Sequence, residues 1–223
     1  EFNSEMKKSY ESRLRDSLEF DYAYLDLLQQ PFAVMLAEEA SALFKGKAYV
    51  NQESTEQNFV QYAGGNKIIY IGTHAESNNV NPELSGFIFA KNASDENNSL
   101  YSYEIYNCDL RSELAVLTAC ETGKPSYQPG EGMISMAHAF NYAGSNSILT
   151  SLWKIDEEAS VKTVKLFYEN LAEGMSKNEA LAKAKIEYLN TEEGAKLAPA
   201  YWAGLVLIGD TAPLELATVQ SNS

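Results

Sequence analysis

Apolar residues fall into two alternating patterns along the chain. Short, nearly continuous apolar runs at 67–71, 84–90, 114–117, 146–152 and 202–208 read as buried strands. The first is bounded by Gly64, Gly65 and Asn66 upstream and by Gly72 downstream, and the last stops at Gly209 and Asp210. Between the later runs the period changes to three and four. Met133, Met136, Ala137 and Phe140 share one helical face that Gly144 terminates. Val161, Val164, Leu166, Phe167 and Leu171 form a second face, and 179–189 predicts a third helix. Upstream, Leu14, Leu18, Tyr22 and Leu25 predict a helix over 5–30, ended by Pro31. A short helix at 32–44 closes at Gly46, 47–50 reads as a short strand, and Ser54 with Gln57 has the spacing of a capping box. The polar stretches 76–83 and 91–99 read as surface loops. Apolar strands alternating with helices predict an α/β fold with a mostly parallel sheet.

Charge narrows the partners. The 223 residues carry 17 Lys and Arg against 31 Asp and Glu, a net charge of −14. That balance argues against a nucleic-acid or anionic-membrane surface, since both need clustered cations, and fits solubility, or a basic protein or peptide partner. Neither a secretory signal nor an apolar run of membrane-spanning length is visible, and two cysteines make no disulfide framework. The expectation is a reduced, cytoplasmic domain. Length suits one large domain plus an extension: 1–30 as a helical extension or linker, with 1–4 read as a cloning scar, 31–213 as the main domain, and 214–223 as a disordered tail.

Candidate chemistry is sparse, because the chain has two histidines and two cysteines. His74 follows the strand at 67–71, and Cys120 follows the strand at 114–117. Both therefore fall at carboxyl ends of strands, the edge where parallel α/β sheets build their sites. An imidazole beside a thiol accepts its proton or stabilises the thiolate, giving a nucleophile for a carbonyl carbon. The resulting oxyanion needs donors, for which the backbone N–H groups of Cys120 and of Ala75, in a His74–Ala75 turn, are candidates. The order, His first and Cys 46 residues later, is close to that of caspases. The alternative is a buried apolar Cys120 and a loop His74.

The string Ala115-Val116-Leu117-Thr118-Ala119-Cys120-Glu121-Thr122-Gly123 is followed by Gly130-Glu131-Gly132-Met133-Ile134, by Ala137-His138-Ala139-Phe140, by Ala143-Gly144 and by Ser151-Leu152-Trp153. Together with Gly72-Thr73-His74-Ala75 and Tyr201-Trp202-Ala203, it resembles the CHAT domain, a caspase-like domain found with tetratricopeptide repeats. The resemblance runs over about 32–212, without obvious N-terminal strands. It implies a caspase-like three-layer αβα sandwich with a mostly parallel central sheet. It also implies a cysteine endopeptidase of the caspase and separase clan, with His74 and Cys120 at its catalytic positions and neither metal nor organic cofactor. The setting it implies is bacterial signalling, defence or cell death, with activation by an upstream sensor or tetratricopeptide-repeat region. A catalytically silent scaffold that binds partner proteins is the competing reading.

In separase-like relatives an acidic residue just after the Trp of this motif pairs with a P1 arginine. Here Trp153, Asp156 and Glu157 are the matching substrate-binding candidates. Asp156 also suits a helix N-cap, and Glu157 an acidic first turn. His138, between two alanines, reads as a packing residue. Cys108 has no histidine at metal-ligand spacing.

Overall fold

The computed structural model of the chain describes residues 30–76, 78, 81–90, 98–118, 120–121 and 131–216, with backbone alone at 120–121 and 131–135. The expectations for a helix at 5–30, a scar at 1–4 and most of the 91–99 loop lie outside the described residues.

Helix α1 (Pro31–Leu43) and helix α2 (Glu56–Tyr62) precede strand β1 (Ile68–Ile71). Three short strands follow, β2 (His74–Glu76), β3 (Gly86–Ile88) and β4 (Ser99–Tyr101), then the single turn α3 (Ser102–Ile105). Strand β5 (Leu114–Leu117) runs into β6 (Cys120–Glu121). Helix α4 (Glu131–Tyr142), strand β7 (Ser147–Ser151), helices α5 (Glu157–Ala172) and α6 (Lys177–Thr191), and strand β8 (Leu205–Gly209) complete the fold.

The main sheet has the order β1-β5-β7-β8; the first three strands are parallel and β8 is antiparallel. Its strands are apolar at every position of β5, as a sheet covered on both faces requires. Alternate residues supply two cores. Ile69, Ile71, Ala115, Leu117 and Ile148 pack with Met136, Ala137 and Phe140 of α4. Leu114, Val116 and Leu149 pack on the other face with Leu36 of α1, Val164, Phe167 and Leu171 of α5, and Ala184 of α6. The result is the expected αβα sandwich.

Sequence signals placed most elements within a few residues. Gly144 ends α4 at φ +101°, a conformation side chains disfavour. The α2 cap is Thr55 rather than Ser54: its Oγ1 accepts from Asn58 N at 3.1 Å. The strand expected at 84–90 shortens to Gly86–Ile88 because Pro82–Leu84 turns as a 3₁₀ helix. The last strand starts at Leu205, after the 3₁₀ turn Pro199–Tyr201.

Residues 47–50 form no strand. They line a cavity of about 440 Å³ that separates them from β1, and Lys47 Nζ lies over the Tyr49 ring at 4.3 Å. His138 is exposed rather than packed, although Ala137 and Ala139 beside it are buried. Part of the expected tail is ordered against the body: Leu214 is buried, and Glu215 N donates to Glu113 Oε2 at 2.8 Å. Residues 217–223 lie outside the described residues.

Candidate active site

The sequence reading missed a second, smaller sheet, in the order β4-β3-β2-β6. It exists because two strands of the main sheet continue into it side by side. Ile68 pairs with Leu114 and Ile71 with Leu117; after Gly72 and Thr73 on one strand and 118–119 on the other, His74 pairs with Cys120. The same 46-residue offset holds in both sheets, so neither connection slips the register. The Thr118 N–H donates to the Ile71 carbonyl at 3.1 Å across the junction, and the Thr73 hydroxyl donates to the Ile88 carbonyl. In-register neighbours on adjacent strands have backbones about 4.8 Å apart and share one face of the sheet.

His74 is half-buried between elements distant in sequence. Its Nδ1 lies 3.4 Å from Nε2 of Gln30, the residue before α1. Its own Nε2 is buried and has no hydrogen-bond partner among the described residues. Burial, reinforced by the Lys154 charge in the loop after β7, lowers its pKa from the ordinary 6.5 to about 4. The ring is therefore neutral at pH 7. The unfolded chain takes this proton near pH 6.5 and the folded chain only near 4, so stability falls as pH drops through that window and levels below it. With solvent screening of a half-buried ring, we expect on the order of 1–2 kcal/mol. Urea titrations of wild type and His74→Gln at pH 7 and pH 4.5 check this: the variant loses that part of the pH dependence, and equal dependence in both would contradict the shift.

Ala75 is wholly buried, and the expected turn is a strand: Ala75 pairs with Phe87 on one side and Glu121 on the other. Its N–H thus belongs to a strand with neighbours on both edges, which limits it as an oxyanion donor.

The loop after β7 carries the three substrate-binding candidates. Trp153 is partly exposed, its indole N–H donates to the Ala200 carbonyl at 3.0 Å, and its ring lies so close to Gly204 that a Cβ there would come within 2.7 Å. Asp156 is the α5 N-cap, accepting from Ala159 N at 3.1 Å through Oδ1. Glu157 turns to a different helix: its Oε1 accepts from Ala33 N in the first turn of α1 at 3.2 Å. Burial raises the Glu157 pKa, and the α1 amides of Ala33 and Phe32 offset part of that rise. Cys108 is a free thiol packed at the edge of one core, its pKa raised by burial and by Glu104. Among the described residues no three His, Cys, Asp or Glu side chains gather as a metal-binding group, and no helix is long and apolar enough to cross a membrane.

The fold and site define an α/β sandwich in which a histidine and a cysteine meet as register neighbours just past the carboxyl ends of two adjacent parallel strands, β1 and β5. Residues 21–210 match the CHAT domain family, and the chain belongs to it. The match starts inside the stretch read as an N-terminal extension. The chain is also similar to human tetratricopeptide repeat protein 28, with 30% identity over 115 residues, and to the mouse protein of that name, with 27% over 115 residues. These alignments cover 52% of this chain but only 4% and 5% of those proteins, so it spans a small fraction of their length.

Proposed function

We propose that the chain is the peptidase domain of a CHAT-family cysteine endopeptidase, with Cys120 as nucleophile and His74 as proton carrier. The observation that carries this reading is the in-register pairing of His74 with Cys120. Support comes from His74 Nε2, buried and without a hydrogen-bond partner among the described residues, and from a ring that is neutral at pH 7.

In this reading the thiol proton passes to His74 as sulfur attacks the scissile carbonyl carbon. The Cys120 N–H holds the oxyanion, and the Ala75 N–H joins it where the small sheet permits. The C–N bond breaks, the leaving amine takes the proton from His74, and a thioester remains. Water then attacks the thioester carbon while His74 takes its proton. The C–S bond breaks, the acid is released, and the proton returns to sulfur. Activation by a tetratricopeptide-repeat or sensor region fits the family and its relatives among tetratricopeptide repeat proteins.

Trp153, Asp156 and Glu157 are the proposed P1 contacts. Glu157 is half-buried and holds α1, whereas exposed Asp156 caps α5 through Oδ1 alone, so its Oδ2 is the better carboxylate oxygen for a basic P1 side chain. Peptides differing only at P1 (Arg, Lys, Leu, Met, Asp) test this. Preference for Arg that drops about tenfold or more in Asp156→Asn supports the assignment, since a charged hydrogen bond is worth about 1.5–3 kcal/mol. Equal rates for Arg and Leu would remove it.

A further inference from the structure

We infer that Gln30 is a positioning residue for His74, its side-chain amide holding the imidazole through Nδ1 in both proton arrangements of the ring. The inference rests on the dyad reading for its purpose, though not for its geometry.

The start of α1 is built so that the Gln30 side chain is not used for capping. Gln30 occupies the N-cap, and its carbonyl accepts from Val34 N at 3.2 Å, but its side chain makes no capping bond. Pro31 at the first helical position has no N–H to satisfy. The next two orphan donors, the N–H groups of Phe32 and Ala33, are met from outside the helix by Glu157. A carboxylate 124 residues away thus performs the task an N-cap side chain ordinarily performs. The Gln30 amide is left to reach His74 Nδ1. Glu157 also ties α1 to the start of α5, which fixes where that amide sits.

An amide suits this position better than a one-way partner. In one orientation its N–H₂ donates to bare Nδ1, and the neutral ring then carries its proton on Nε2. Turned over, its carbonyl accepts from Nδ1–H, and Nε2 is bare and able to take the thiol proton. The same orientation serves the imidazolium, whose two nitrogens both carry protons. A Gln therefore keeps the ring in place through the whole proton cycle, whereas a carboxylate would favour only the Nδ1–H forms.

Among the described residues the groups that act on the ring are Gln30 ahead of α1 and Lys154 after β7, and the backbone of Cys120 is its register neighbour in β6. The test is ring ¹⁵N NMR across pH 3–9 on the full chain, with exposed His138 replaced by Gln so that one ring remains. Wild type is compared with Gln30→Glu and Gln30→Met. We expect Gln30→Glu to move the neutral ring to the Nδ1–H form and to raise its pKa by at least about one unit. We expect Gln30→Met to give mixed tautomers. Hydrolysis should fall about 10–100-fold in kcat in Gln30→Met with KM little changed, and Gln30→Glu should recover part of it at a higher optimum pH. Identical ring spectra in all three folded proteins would overturn the inference. Spectra that depend on Gln30 in a chain without peptidase activity would keep the positioning and sink the dyad reading, so the two failures are distinguishable.

Discussion

Hydrolysis of a cleaved peptide is expected to fall by on the order of 10³–10⁶-fold in Cys120→Ala, and by a similar factor in Cys120→Ser. Cysteine is a nucleophile near neutral pH because a neighbouring imidazole can hold its proton and a thiol ionises readily. A serine hydroxyl at the same position has no such acidity, so passing its proton to His74 is correspondingly harder. The serine variant therefore separates loss of the thiol from loss of volume. Position 120 lies in the two-residue strand β6, at the edge of the smaller sheet. The folded body stands on β1, β5, β7 and their helices, so far-ultraviolet circular dichroism and Tm should remain close to wild type. Retained turnover in folded Cys120→Ala would assign the chemistry elsewhere.

The second large effect concerns stability. Lys177, at the start of α6, is 1% exposed, and its ammonium meets Asp210 Oδ2 at 2.9 Å just past β8. Its backbone N–H also donates to the Thr211 carbonyl at 3.0 Å. This one residue therefore docks the α6 start onto the end of β8. Lys177→Ala removes the buried stem as well as the cation and should cost about 3 kcal/mol, a fall in Tm of about 6–12 °C for a chain of this size. Lys177→Met keeps most of the stem volume and should recover more than half of that loss, because an apolar replacement strands no ammonium. Its partner is exposed and stays solvated, its pKa held below the usual carboxylate range by the Lys177 hydrogen bond. Asp210→Asn should lower Tm by leaving the buried ammonium with a weaker partner. Urea unfolding of the three variants checks the order; a Lys177→Met as unstable as Lys177→Ala would show that the ion pair, rather than packing, holds the junction.

The main sheet was readable because its strands are four or five residues long, nearly all apolar and separated by helices with a clear period. The smaller sheet was not. His74–Glu76 and Cys120–Glu121 are too short to show alternation, and they pair only because β1 and β5 deliver them in register. The reading of His74-Ala75 as a turn failed for that reason. Strand-end position and family motif together still singled out His74 and Cys120. His138 was misjudged from its alanine neighbours: successive helical residues point about 100° apart, so buried Ala137 and Ala139 leave room for an exposed residue between them.

Two contacts near the histidine left no mark in the sequence. Glu157 looks like any acidic residue in a first helical turn, yet it caps α1 across 124 residues of chain. Gln30 precedes a proline and belongs to no motif; only the packing of α1 against α5 and the main sheet brings its amide to His74. Asp156 was legible as a cap, and it is one. Side-chain pairings at such distances follow from the placement of whole helices, which local periodicity does not encode.

The dyad is the central claim, and covalent labelling tests it most directly. Wild type, His74→Ala and Cys120→Ala would each be treated with acyloxymethyl-ketone peptides carrying P1 Arg, Lys, Leu, Met or Asp, and the adduct located by mass spectrometry. The account predicts a single adduct on Cys120 in wild type, at least about 100-fold slower in His74→Ala and absent in Cys120→Ala. Equal labelling of Cys108 and Cys120, or a Cys120 adduct that forms as fast without His74, would contradict it.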